Sequence, residues 1–350
     1  MSESELENTR LDKTIYVISP FRLQESLNNW KVFYAEEIFS VFALIGKRVV
    51  WIQPGRKFSF TTFPHFKRVW RFTVVELGNY FLFRYLLGMF ISRLIKVTKE
   101  QKPLLFFELV NKTPLNLDMG PEILLFPIVF DLSEKWKIYD TPPTPVFVVE
   151  NRDNKRFGSF QNNPQIVFLP WGCWEKPKEP SKNWSFCVQE GESVPELLFV
   201  SNCNAEIKEL VKKKEIFVKN ISGKRNPLLS FINLNDFQFE EKILISDFFA
   251  YLTKKGKECK VVLGKELGYL AYQLLFLGAG VFVLAKDLVN LNFFPEDNSI
   301  YVNGDENYRL LLPRENMDWF SESMNGRKVI SWDNVVTNII EPAVISVFRN

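Results

Sequence analysis

The chain has 350 residues, 46% of them apolar and 24% charged, with a formal net charge of +3. That length exceeds one ordinary hydrophobic core and points to two globular domains, while so small a charge argues against a nucleic-acid binder. Its only histidine is His65, and Cys173, Cys187, Cys203 and Cys259 form no C-x-x-C pair. A Cys–His zinc site or a histidine-dependent triad is therefore not expected; no metal or other cofactor is called for, and the cysteines fit reduced thiols. The polar start MSESELENTRLDK holds no hydrophobic h-region, so a cytoplasmic protein is expected. The 34 phenylalanines imply a heavily aromatic core or exposed apolar patches.

In chain order, TIYVIS (14–19) reads as a strand stopped by Pro20. Trp30 to Ile45 carries apolar residues at Val32, Phe33, Ala35, Ile38, Phe39, Phe42 and Ala43, a helical stripe ended by Gly46. Val49–Ile52 is a second strand, closed by Pro54-Gly55. Strand, helix, strand predicts a parallel sheet of Rossmann type, although the first turn, SPFRLQES, has no G-x-G-x-x-G. KRVWRF (67–72) reads as a third strand. Tyr80 to Ile95 is strongly apolar but short, and holds Arg84 and Arg93, which argues against a membrane span.

The window Arg56 to Lys99 contains nine Lys or Arg and a single acid, Glu76. Two readings stand for it: a core helix flanked by solvated basic loops, or a basic, aromatic, amphipathic surface resting peripherally on an anionic membrane. Further strands are expected at Pro103–Leu109, Ile123–Phe130, Pro145–Glu150 and within QIVFLPWGCW. Glu175 to Glu196, rich in Pro, Ser, Lys and Glu, reads as an interdomain linker. The expected domains are thus 1–174, a linker at 175–196, and 197–350. In the second, strands are expected at Leu197–Val200, Glu215–Lys219 and Leu228–Ile232, and helices at Ala205–Lys214 and Phe239–Lys255. Cys259 to Asn303 then reads as strand, turn, apolar helix, Gly278, strand, loop and strand, a βαβ crossover whose carboxyl ends are where open α/β sheets bind ligands.

KELGYLAYQLLFLGAGVFVLAKD resembles the donor-binding segment of retaining, GT-B-fold glycosyltransferases (group 1, family 4-like). NSIYVNGDENYRLLL is similar to the segment that follows it in that family. SMNGRKVISWDNVVTNIIEPAVISVF resembles the family's ending, in which Ser331-Trp332-Asp333 opens the last helix. In the first half, VFDLSEKW, VFVVENRDNKRF and IVFLPWGCWEKP resemble successive steps of the acceptor domain. The resemblance implies an α/β architecture of two Rossmann-like domains facing a central cleft. It also implies a UDP- or GDP-sugar donor as substrate and a glycan, lipid-linked or protein acceptor.

Retaining transfer needs cations or backbone N–H groups at the diphosphate and polar groups on the ribose and sugar hydroxyls, with little acid–base chemistry. Aligning Gly278 with the family's glycine puts Lys265 and Gln273 where that family has two glutamates. Gln273 can still bind a ribose hydroxyl, whereas Lys265 accepts no hydrogen bond. A one-residue shift lets Glu266 take the first role, with Gly268 allowing close backbone approach. Lys224 and Arg225 in ISGKRNP are the phosphate candidates, against a solvated turn. Asp131, at a strand end, is the candidate to orient the acceptor or act as a base, against a turn or cap role. His65 reads as an incidental loop histidine, and Trp332 as a packing residue. A catalytically inactive GT-B-like scaffold and an unrelated Rossmann-like protein remain as alternatives.

Overall fold

Short runs rich in Val, Ile and Phe become strands, and the longer apolar segments between them become helices. The computed structural model describes residues 14–23, 29–55, 63–69, 71–98, 103–110, 122–130, 144–149, 165–170, 172–173, 197–201, 229–233, 252, 259–264, 281–285, 299–301, 309–311 and 330–349. The chain divides into two compact units, 1–172 with 332–350, and 173–331.

The first unit is built on β1 (Ile15–Ile18), β2 (Val49–Pro54), β3 (His65–Val69), β4 (Phe72–Leu77), β5 (Leu104–Val110), β6 (Ile123–Val129), β7 (Val146–Val149) and β8 (Ile166–Leu169). They form one sheet in the order β3-β4-β2-β1-β5-β6-β7-β8. Every pairing is parallel except β3 with β4. The β1–β2 pairing, Ile15 opposite Val49, bears out the parallel sheet expected from the opening strand–helix–strand. KRVWRF, expected as one strand, is instead split between two antiparallel strands: β3 ends at Val69 and β4 starts at Phe72. No Gly, Pro, Asn or Asp stands between them, so nothing in the composition signals a break.

Helix α1 (Trp30–Leu44) begins at Asn29, whose Oδ1 accepts the Lys31 N–H, and ends before Gly46 at a φ of 90°. A one-sided stripe was expected here. In fact every residue from Val32 to Ala43 is buried, Glu36, Glu37 and Ser40 included. The other end of the chain contributes to this. Helix α3 (Trp332–Val335) runs through a π-helical stretch (Val336–Ile340) into α4 (Glu341–Arg349), and α3 and the π stretch pack on α1. The Trp332 ring meets Tyr34 edge-on at 5.1 Å. The ring also fills the space beside Gly172, where a Cβ would stand 2.6 Å from it.

On the α1 side the sheet carries much of the phenylalanine. Phe107 stacks on Phe126 at 5.3 Å and on Phe147 at 6.1 Å, and Trp51 stacks on Phe72 at 6.1 Å. Phe39 of α1 reaches Phe107 at 5.3 Å and Trp51 at 6.1 Å, the two rings in register with Val17 between them. Such offset and edge-on pairs add to simple burial, about 0.5–1.5 kcal/mol each. On the opposite side α2 (Phe83–Val97) lays Phe83, Leu86, Leu87 and Ile91 against Tyr16, Ile18, Ile52, Val75 and Phe106.

The second unit has a six-stranded sheet of β10 (Leu197–Ser201), β11 (Leu229–Asn233), β12 (Lys260–Leu263), β13 (Val281–Ala285), β14 (Ser299–Tyr301) and β15 (Arg309–Leu311), in the order β11-β10-β12-β13-β15-β14. The first four strands are parallel and the last two are antiparallel. Two-residue strands β9 (Gly172–Cys173) and β16 (Ile330–Ser331) complete the described set. The strands expected at Leu197, Leu228, Cys259 and Val281 are all present. The helices expected at 205–214, 239–255 and 267–277 lie on residues largely outside the described ones.

Candidate functional site

In an open parallel sheet, ligands bind at the carboxyl ends of strands, where the strand order reverses. In the first unit that point lies between β1 and β5, because β2 and β4 lie on one side of β1 and β5 to β8 on the other. The apolar runs of β1, β2 and β4 each give way to a polar residue at one level across the sheet. Ser19 follows β1 and continues its ladder, its N–H donating to the Ile52 carbonyl at 2.9 Å. Gln53 of β2 stands in register with Glu76 of β4, and Glu76 with His65 of β3.

These side chains are tied together. Ser19 Oγ donates to the Phe21 carbonyl at 2.7 Å and accepts the Phe21 N–H at 3.1 Å, which folds the loop after β1 back over the sheet end. Gln53, fully buried, accepts the Leu23 N–H on Oε1 at 2.7 Å and donates through Nε2 to Glu76 Oε1 at 3.0 Å. Glu76 Oε1 also lies 2.8 Å from Lys67 Nζ and 3.7 Å from Arg22 Nη2, and Oε2 lies 4.0 Å from His65 Nδ1. Burial works to raise the Glu76 pKa. The hydrogen bond and charge of Lys67, the Gln53 amide and the Arg22 charge outweigh it, so the carboxyl is held below the usual glutamate range. Among the described residues the buried Arg22 Nε has no hydrogen-bond partner. Among the described residues paired with Glu76, the two cations Arg22 and Lys67 outnumber the one carboxylate, which suits hydroxyl-rich or anionic groups.

Two backbone features frame the edge. Gly78, at a φ of 52°, follows β4 and its carbonyl accepts the Gly55 N–H at 2.8 Å. Asn79 Oδ1 then accepts the N–H groups of Phe81 and Leu82, both at 3.1 Å, opening the turn into α2. Glu108 of β5, buried at the level of Ile18, is a further carboxylate close to the strand-order reversal.

In the second unit the order reverses between β10 and β12. Gly264 closes β12 there, its N–H donating to the Val200 carbonyl at 2.8 Å. Asp131, Lys224, Arg225, Lys265, Glu266, Gly268 and Gln273 all lie outside the described residues. His65 is not a loop residue: it opens β3 and stands opposite Glu76. Arg22, Gln53, Glu76 and Glu108 were not singled out from the sequence. For Gln53, Glu76 and Glu108 the signal was present as a polar residue closing or interrupting an apolar run, in VVWIQP, FTVVEL and LLFFELV; Arg22, in SPFRLQES, carried none. Among the described residues no three of His, Cys, Asp and Glu cluster as metal ligands, and no helix is long and apolar enough to cross a membrane.

No protein-family profile matches the chain, and no curated protein matches it. Solved structures do. An α,α-trehalose-phosphate synthase (UDP-forming) from Burkholderia vietnamiensis is 9% identical at a TM-score of 0.35, over 75% of this chain and 88% of that one. An α,α-trehalose 6-phosphate synthase from Burkholderia multivorans gives 9% and 0.35 over 76% and 89%. OtsA in its apo state gives 9% and 0.35 over 97% and 96%. Likenesses of that degree carry no functional inference.

Proposed function

We propose that the chain is a GT-B-fold glycosyltransferase, moving a sugar from a UDP- or GDP-sugar to a glycan, lipid-linked or protein acceptor with retention of configuration. The observation that supports this most directly is the second sheet. Its parallel strands β12 and β13 pair with Val261 opposite Val281, and they bracket the segment that resembles a nucleotide-sugar site. Gly264, at the strand-order reversal, leads directly into Lys265, Glu266, Gly268 and Gln273. A donor seated there has its ribose held by Gln273 and its sugar hydroxyls by Glu266, with Gly268 giving the backbone close approach. Lys265, Lys224 and Arg225 supply positive charge to the diphosphate.

In the transfer, the bond from the anomeric carbon to the diphosphate oxygen breaks. The acceptor oxygen bonds that carbon on the same face, and its proton passes to the departing diphosphate. Asp131 is assigned to orient the acceptor hydroxyl, or to relay that proton as a base, at the end of β6. The polar edge of Arg22, Gln53, Glu76 and His65 suits the acceptor's hydroxyl or anionic groups. No resident metal is required by this scheme. Lys265, standing where a glutamate is the family's residue, favours a second reading, an inactive GT-B-like scaffold.

Thermal unfolding with UDP- and GDP-sugars and the free nucleoside diphosphates separates the two. A ligand at a hundredfold excess over its dissociation constant adds about 2.7 kcal/mol of stability. A rise in melting temperature with one nucleotide, lost in Gln273→Ala, is the result expected of a transferase. No rise with any of them overturns it in favour of the scaffold.

A further inference from the structure

From Leu77 to Lys99 the chain contains no Asp or Glu. Helix α2 sits in the middle of that stretch, with one face on the sheet and the other in water. Its water-facing side carries Arg84, Tyr85, Met89, Ser92, Arg93 and Lys96. The turn leading into it, at the carboxyl end of β4, holds Tyr80 and Phe81 in solvent, Phe81 at 86% exposure. Tyr85, at 71%, lies one helical turn further on, and Met89, at 44%, lies one turn beyond that. Beside them the edge strand β3 adds Phe66, 60% exposed and 6.5 Å from Phe90 of α2. Arg68, two residues along β3, shares its face. Lys67 and Arg68 on an edge strand also deter strand pairing, but that role accounts for neither the aromatic side chains nor the charges on α2.

Solvated aromatic rings and cations in one patch, with no acid among them, are the composition of a surface that lies at a lipid–water boundary. We infer that this face, formed by β3, the Tyr80–Leu82 turn and α2, docks on an anionic phospholipid bilayer. In that pose α2 lies parallel to the surface over about 22 Å. Phe81, Tyr85 and Met89 enter the headgroup region, while Arg68, Arg84, Arg93 and Lys96 meet lipid phosphates. Charge decides between occupants. A second copy docked through the same face brings cations against cations, with no carboxylate among that face's described residues to receive them, whereas an anionic bilayer neutralises all four. A neutral bilayer leaves them uncompensated. The inference is independent of sugar transfer, since it concerns no donor-binding residue.

The test is co-sedimentation of the full chain with vesicles of phosphatidylcholine, and with vesicles of phosphatidylcholine mixed with phosphatidylglycerol. Binding is expected only to the mixed vesicles, and is expected to weaken as salt is raised. Each cation contributes about a fivefold gain in partitioning, so Arg84→Glu/Arg93→Glu/Lys96→Glu loses at least a hundredfold. Arg84→Lys/Arg93→Lys keeps the charge and keeps binding. Phe81→Ser/Tyr85→Ser weakens binding at unchanged charge. All five side chains are solvated, so each variant is expected to melt as the wild type does. Equal sedimentation with both vesicle types, no sedimentation with either, or full binding by the triple charge variant overturns the inference. So does wild-type self-association that the Phe81→Ser/Tyr85→Ser variant abolishes, which makes the face a protein contact. A nucleotide-dependent rise in melting temperature is measured without lipid, so failure here leaves the transferase reading standing, and the reverse holds as well.

Discussion

Replacing Trp332 by alanine tests whether the C-terminal segment is an integral layer of the first unit. The side chain is 1% exposed, lies 5.1 Å from the Tyr34 ring and fills the space against Gly172. Removing a buried tryptophan forfeits its transfer free energy and leaves a cavity, about 3–5 kcal/mol together. In urea, where a unit of this size unfolds with a slope of about 2 kcal/mol per molar, the midpoint of its transition is expected to fall by about 2 M. Far-UV circular dichroism reports that transition, and thermolysin susceptibility of the Val- and Ile-rich residues 332–350 reports local release. Gly172→Ala works from the other side. Its methyl would stand 2.6 Å from a ring that cannot bend away, which costs about 1–3 kcal/mol. The two changes must not add, because in Trp332→Ala the new methyl meets empty space. A midpoint shift of less than about 0.5 M in Trp332→Ala, or full additivity with Gly172→Ala, refutes the packing account.

Three further outcomes follow from the polar edge. Glu76→Gln removes the charged partner of Lys67 at 2.8 Å and is expected to lower stability at pH 7 by about 1–2 kcal/mol in urea melts. The pH dependence has a definite sign. The folded Glu76 carboxyl titrates below its unfolded value, so its contribution is present above about pH 4.3 and is lost as pH falls through the folded value. Wild-type stability must therefore drop more steeply below that pH than that of Glu76→Gln, and parallel curves would count against the network. Gly78→Ala meets both an unfavourable φ of 52° and Leu86 Cδ1 at 2.5 Å, and should lower the melting temperature by the equivalent of about 1–2 kcal/mol. Asn79→Ala frees the N–H groups of Phe81 and Leu82, at about 1 kcal/mol, visible as faster hydrogen exchange at those two amides.

Much of the strand plan was legible because its strands are apolar runs bounded by Gly, Pro or a charge. IYVI, VVWI, LLFFELV and KVVL all emerge where periodicity puts them. What escaped was set by partners remote in sequence. The stripe on α1 suggested one wet face, but Glu36, Glu37 and Ser40 are buried, in a helix against which residues some three hundred positions away pack. No Gly, Pro, Asn or Asp stands between Val69 and Phe72, so antiparallel β3 was invisible until its register with β4 was known. The polar edge was missed for a similar reason. Ser19, Gln53, Glu76 and His65 are scattered singly through the sequence, and only strand register puts them at one level. The strands flanking the donor segment were legible because a parallel pair needs a connection of that length between two apolar runs.

The connectivity of the first unit has a consequence for how the chain is made. Its sheet is complete by residue 169, yet the tryptophan that seals α1 is residue 332, and the whole of 173–331 is synthesised in between. A nascent chain stalled after residue 320 should therefore carry an unsealed α1, with the side of the Tyr34 ring that meets Trp332, and the Gly172 backbone, still uncovered. That interval is a window in which a holding chaperone has something to bind, and it closes only when Trp332 and the helical segment it opens have left the ribosome. A short linker replacing 173–331 removes the wait, and a chain so shortened is expected to fold as soon as it is released.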